Sequence, residues 1–187
     1  WKLSNIDFKY IVTSWPFISI LLVGLIFIIL TASVIGEVFG TNTYPVTWQM
    51  LLVPGNSFGL FINILTFLYA GMLVHRGSIS RVNHLIDVTP IPNWTLLWSK
   101  FIALLKMQAV LLLVIMLGGM SIQIYRGYYN FEIGHYLYEL YALNFIGFII
   151  WALLSLFVQT LMKNPYLGLF VLLVISIGIP FLSEAGI

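Results

Sequence analysis

Cysteine is missing from this sequence, and charge nearly so. None of the 187 residues is a cysteine. That excludes a disulfide framework and a thiolate metal site, and it leaves the redox compartment unreadable. Charged residues make up only 7% of the chain, eight Lys or Arg and six Asp or Glu, against about 25% in a soluble domain. So few charges cannot cover a folded surface in water. The net charge of +2 is too small to mark a nucleic-acid partner, and none is expected. Neither a Gly-rich phosphate loop ending in Lys-Ser/Thr nor an H-E-x-x-H pair is present. No nucleotide, cofactor or metal is therefore assigned by motif, and no catalytic residue with them.

What the chain has instead is oil. It is 61% hydrophobic and 16% aromatic, with a mean hydropathy of +1.05. About 20 apolar residues carry a helix across a bilayer, and five charge-poor runs approach that length: about 15–36, 57–74, 101–122, 140–162 and 166–182. They are continuously apolar rather than alternating, which predicts helices and not barrel strands. The expected fold class is an all-α integral membrane protein, a bundle of about five transmembrane helices within a single domain over 1–187. The lipid bilayer is its first partner. In the opening stretch Lys2, Asn5, Lys9 and Thr13 share one face, while Trp1, Phe8, Ile11, Val12 and Trp15 supply apolar surface. That pattern predicts a short helix lying in the interface before the first span.

Orientation follows from the basic residues. With the spans alternating sides, Lys2, Lys9, Arg76, Arg81, Lys100, Lys106 and Lys163 fall on one side and only Arg126 on the other. The positive-inside rule makes the first side cytoplasmic, the N-terminus included. The triplet NWT at 93–95 matches a glycosylation acceptor, but this topology puts it in the cytoplasm. The chain opens on Trp1 and stops after SEAGI as an apolar run ends, so a piece of a longer protein is expected.

No carboxylate lies near the middle of a span, which argues against an ion-coupled carrier. The amides Asn63, Gln108, Asn144 and Gln159 are expected to hydrogen-bond between helices. Gly36 and Gly40 (with Ala32), and Gly55, Gly59 and Gly71, form stripes that let helices approach closely. The outer segment 37–56, with Pro45 and Pro54 around an apolar middle, is expected to dip into the interface. The Tyr-rich outer segment holds Glu132, His135 and Glu139 at helical spacing, and it reads as an aromatic-belt helix with a solvated face rather than a metal site.

One stretch breaks the oil: HRGSISRVNHLIDVTPIPNWTLLWSK, residues 75–100. Ile79, Val82, Leu85 and Ile86 share a face at helical spacing, and Ser78 or Ser80 can cap the helix. Arg81, His84 and Asp87 lie on other faces. Pro90 and Pro92 forbid continuation of the helix and stiffen the elbow that follows. Trp94 and Trp98 anchor the next span at the interface. A short amphipathic cytoplasmic helix on a proline elbow is the expected structure of this loop.

This arrangement resembles the membrane domains of type-2 ABC transporter permeases. Their pattern is a leucine and a small residue before a proline, then hydrophobic residues and a lysine. It is similar to the run of Leu85, Ile86, Pro90, Ile91, Leu96, Leu97 and Lys100, which departs from it in placing Leu85 farther from the proline and the larger Ile86 after that leucine. The wording GYYNFEIGHYLYEL and FVQTLMKNPYLG is similar to permeases fused downstream to a gluzincin aminopeptidase. The resemblance implies six spans per half, so the chain is expected to stop before the sixth. It implies a coupling helix that inserts into an ATP-binding cassette ATPase subunit, with Ile79, Arg81, Val82, His84, Leu85, Ile86 and Asp87 as the contact and Pro90 and Pro92 as the elbow. It also implies a second permease half or copy, transport that leans toward export, ATP hydrolysis in the partner only, and a place in the cell membrane, the inner membrane of a bacterium. Two other readings stay open: a structural subunit of a larger membrane complex, and a carrier or channel without a motor.

Overall fold

The computed structural model describes residues 2–34, 37–38, 41–42, 46–79 and 92–184. Its elements in chain order are α1 (Lys2–Val12), α2 (Trp15–Val34), β1 (Glu37–Val38), β2 (Thr41–Asn42), α3 (Thr47–Ile79), α4 (Asn93–Tyr125), α5 (Ile133–Leu137), a π-helical stretch (Tyr138–Asn144), α6 (Phe145–Leu161) and α7 (Pro165–Glu184). The two strands form a two-residue antiparallel pair, Glu37 opposite Asn42 and Val38 opposite Thr41. The remaining regular structure among the described residues is helical, and the fold is an all-α membrane bundle.

Three helical stretches are long and apolar enough to cross a membrane alone: Phe58–Arg76, Trp94–Tyr125 and Ile133–Leu161. Lys2–Val12 and Trp15–Ile28 reach that standard only as a broken pair, and Pro165–Gly178 is a shorter apolar helix. The sequence places Pro16 and Pro165 at helix starts, where a missing N–H costs nothing. α4 ends on a Schellman turn: Gly127 takes φ +75°, Tyr128 N donates to Gln123 O at 2.9 Å and Gly127 N to Ile124 O at 3.0 Å. A Cβ at that φ would be strained, so glycine suits the position.

α6 is built inside out. Ile146, Ile150, Leu153, Phe157 and Leu161 form an exposed stripe at three- and four-residue steps. The buried residues are Ala152, Ser155, Leu156, Val158 and Gln159. Ala152, Ser155 and Gln159 inside, beside Leu156 and Val158, with a wholly apolar stripe outside is the pattern of a helix whose solvent is lipid.

The described chain falls into two compact units. Unit 1 comprises 1–11, 63–106 and 149–187. Phe67, Val158 and Leu172 are buried together there, with Trp151 packed on them, its ring 5.4 Å from that of Phe67. Gln159 is fully buried and donates its Nε2 to the carbonyls of Pro165 (3.2 Å) and, at the long limit, Phe67 (3.5 Å). Gly71 makes room for it: a Cβ there would lie 2.9 Å from that same nitrogen.

Unit 2 comprises 12–62 and 107–148. Its core includes Phe58, Ile62, Leu111, Leu112, Ile115, Tyr136 and Leu140, with Phe61 tilted against Phe27 and Phe58 at 6.4 and 6.0 Å. A neutral hydrogen-bonded chain runs through it. The Tyr136 hydroxyl donates to Gln123 Oε1 (3.2 Å), and Gln123 Nε2 donates to Thr47 Oγ1 (3.4 Å). Gln108 donates to Phe148 O at 3.0 Å, and the Tyr141 hydroxyl to Ala109 O at 2.9 Å. The expected pairing between helices therefore holds for Gln108 and Gln159. Gly24 lies so close to Phe58 that a Cβ would meet its ring.

Two boundaries differ from expectation. Residues 47–56 are helix, continuous with the span that follows, and the helical backbone passes through Pro54. An apolar environment rewards every closed backbone hydrogen bond, which outweighs the one that Pro54 cannot donate. α4 likewise runs on to Tyr125, which places Gln123 inside a helix rather than in a loop. Gly36 and Gly40 lie outside the described residues.

Candidate functional site

The stretch singled out by sequence is framed by the end of α3 at Ile79 and the start of α4 at Asn93. Arg81, Val82, His84, Leu85, Ile86, Asp87 and Pro90 lie outside the described residues. Ile79 is the last helical residue of α3. Pro92 is exposed, and its carbonyl accepts from Thr95 N at 2.9 Å, opening the first turn of α4. Trp94, Trp98 and Phe101 then stack edge to face, at 5.9 and 5.4 Å. Trp94 and Trp98 remain exposed, 66% and 44%, as interfacial anchors do.

Within unit 1 the two helix ends that carry this stretch are tied to α1. Ser4 and Ile11 are fully buried, with Asp7 and Phe8 half-buried between them on the same face. Lys2, Asn5 and Lys9 are exposed, so the polar face read from the sequence does face outward. Asp7 sits on the inward side. Arg76 Nη1 donates to its Oδ1 at 3.0 Å, with 42% of the Arg76 side chain exposed and 15% of the Asp7 side chain. The same guanidinium lies over the Tyr10 ring, 4.6 Å from its centre. On α4, Lys106 Nζ donates to Asn5 Oδ1 at 2.6 Å, and Lys100 lies within electrostatic reach of Asp7. Burial pushes the Asp7 carboxyl above the ordinary 3.8, and Arg76 and Lys100 pull against that shift. Desolvation is the larger effect because the carboxylate gives up water on a face made for packing.

His75, next to Arg76, buries its Nε2 with no hydrogen-bond partner among the described residues. Sequence reasoning did not pick out Asp7, Tyr10 or Arg76 as a cluster. The one available signal was positional: Asp7 lies three residues after Ser4 and four before Ile11, on the buried stripe of an otherwise apolar face.

The string GNSFG at 55–59 matches a nucleophile elbow in letters. Its backbone is uninterrupted helix within α3, whereas such an elbow requires a strand–turn–helix. It therefore carries no catalytic reading. Glu132, His135 and Glu139 lie at or within the helical stretch that leads into α6.

Neither a comparison with curated proteins nor one with solved structures finds a match. The family model described as ABC-2 family transporter protein matches residues 14–179, which is most of the chain. The chain belongs to the ABC-2 transporter family and is the multi-pass membrane component, the permease part, of an ABC transporter.

Proposed function

We propose that this permease moves its substrate outward and is driven by ATP hydrolysis in a separate cassette ATPase subunit. In this reading the N-terminus is cytoplasmic, the protein sits in the cell membrane, and a second permease half or copy completes the pathway. Residues 78–88, from the last turn of α3 onward, act as the coupling segment. Ile79, Val82, Leu85 and Ile86 offer an apolar face to the ATPase, and Arg81, His84 and Asp87 border it. Pro90 and Pro92 transmit the thrust as a stiff lever.

The observation that carries this reading is the distribution of charge. Unit 1 holds seven of the eight Lys and Arg residues (2, 9, 76, 81, 100, 106 and 163). It also holds both helix ends that flank the loop. By the positive-inside rule this supports a loop on the ATP side. A rigid-body switch needs its lever tied to the parts it moves, and the Asp7–Arg76 ion pair ties α1 to α3 beside the loop.

The test is purification in mild detergent followed by ATPase assay. An ATPase is expected to co-purify, and Arg81→Glu or Leu85→Gln is expected to lower substrate-stimulated hydrolysis about tenfold, the effect of losing roughly 1.4 kcal/mol of coupling. Unchanged hydrolysis in both variants, with no co-purifying ATPase, would sink the proposal.

A further inference from the structure

Unit 1 places two cations around one carboxylate. Asp7 Oδ1 is taken by Arg76 at 3.0 Å, while Lys100 feels the same carboxylate from a greater distance. Lys100 is half-buried, and among the described residues its ammonium has no ion pair or hydrogen bond. The three groups sum to one excess positive charge. Arg76 meanwhile spends one donor on Asp7, and 42% of its side chain is still exposed. Tyr10 supports the guanidinium from one face and leaves its remaining N–H groups to point elsewhere. A guanidinium fork beside an ammonium is a common way for a protein to hold a phosphate, the fork giving direction and the ammonium charge.

The depth of the site says where such an anion comes from. Lys100 follows Trp98 by two residues and Trp94 by six, both exposed, and exposed tryptophans settle at the level of lipid headgroups. Basic pockets between helices at that level take anionic headgroups.

We propose that Arg76 and Lys100 form a binding site for a phosphate-type anion, either the headgroup phosphate of an anionic lipid or free phosphate. Asp7 is its internal competitor. With no anion bound, Asp7 holds Arg76; a bound phosphate shares Arg76 and recruits Lys100. The site is independent of the substrate and of the ATPase partner proposed above.

The test uses the full chain in nanodiscs, with native mass spectrometry reading lipid retention across mixtures of phosphatidylglycerol and phosphatidylcholine. Wild type is expected to retain the anionic lipid preferentially. Lys100→Gln is expected to weaken that retention about fivefold, the worth of one basic residue near an anionic surface, and Lys100→Arg to restore it. Asp7→Asn is expected to strengthen it, because the competitor is gone and the cations remain. Inorganic phosphate added to the mixed nanodiscs separates the sources: saturable phosphate binding that displaces phosphatidylglycerol assigns free phosphate, and phosphatidylglycerol retention undisturbed by phosphate assigns the headgroup. Two results overturn the proposal. One is an equal loss in Lys163→Gln, which would mean diffuse attraction to the surface. The other is weakened retention in Asp7→Asn, which a merely structural ion pair would give.

Discussion

The two units solve the same problem with different chemistry. Both must place polar groups in a helical bundle whose solvent is lipid. Unit 1 adds ions to the neutral bonds of Gln159: the Arg76–Asp7 pair at 3.0 Å, Lys100 near it, and Lys106 on Asn5 at 2.6 Å. Unit 2 does so with neutral groups: Tyr136, Gln123 and Thr47 in series, Gln108 on a carbonyl, Tyr141 on another. Seven of the ten tyrosines (44, 125, 128, 129, 136, 138 and 141) belong to unit 2, and only one of the eight basic residues, Arg126, does. The difference is what insertion selects. Insertion keeps Lys and Arg out of most apolar segments, and a segment poor in them must satisfy its donors with hydroxyls and amides. Neutral networks are insensitive to salt, but leaving one of their members unpaired is costly. Ion pairs near a surface are cheap to break, and salt screens them.

That contrast can be broken at four points. The largest effect is expected from Gln123→Leu, which removes a buried amide and leaves the Thr47 and Tyr136 hydroxyls without this partner. It should cost about 2 kcal/mol in a denaturant titration, within the range for stranding buried polar groups, and the loss should be the same in low and high salt. Gln159→Leu, in unit 1, should cost less, about 1 kcal/mol. Its Oε1 already lacks a partner among the described residues, so the variant gives up only the two donated bonds.

Arg76→Gln comes next. A half-exposed ion pair and a cation–π contact together are worth about 0.5–1 kcal/mol. The wild-type advantage should shrink as salt rises, which Gln123→Leu should not reproduce. Equal salt dependence in Arg76→Gln and Gln123→Leu would abolish the distinction between the units.

The smallest effect is one of pH. The Asp7 carboxyl is raised above 3.8, chiefly by burial, so the folded protein holds its proton more tightly than the unfolded chain. Its contribution to stability is therefore greatest below 3.8 and is lost as pH rises through the folded value. Asp7→Asn carries no such titration. The stability of this variant relative to wild type should climb as pH rises through that window and level off above it, as followed by thermal unfolding.

Much of this molecule was legible in advance because the signals are local. Twenty apolar residues in a row have one good use, and the runs at 15–36, 101–122 and 140–162 sit on α2, α4 and the π–α6 stretch. Gln108 and Gln159 were expected between helices for a simple reason: an amide in hydrocarbon must find a partner. Helix ends were harder. α3 starts at Thr47 and runs through Pro54, against the usual meaning of proline, because hydropathy marks where the lipid core begins and says little of where the helix does. The π-helical stretch at 138–144 has no composition that sets it apart from ordinary helix. The Asp7–Arg76 pair joins residues 69 positions apart, a separation that no periodicity reports.

Sequence alone determined that the chain lives in a bilayer and that it is helical. Those conclusions follow from transfer free energies, which each side chain carries with it wherever it folds. Only the tertiary structure decided which polar groups meet: Asp7 with Arg76, Gln123 with Tyr136 and Thr47, Gln159 with the Pro165 carbonyl. A buried polar group needs a partner, but what that partner is depends on which helices pack together.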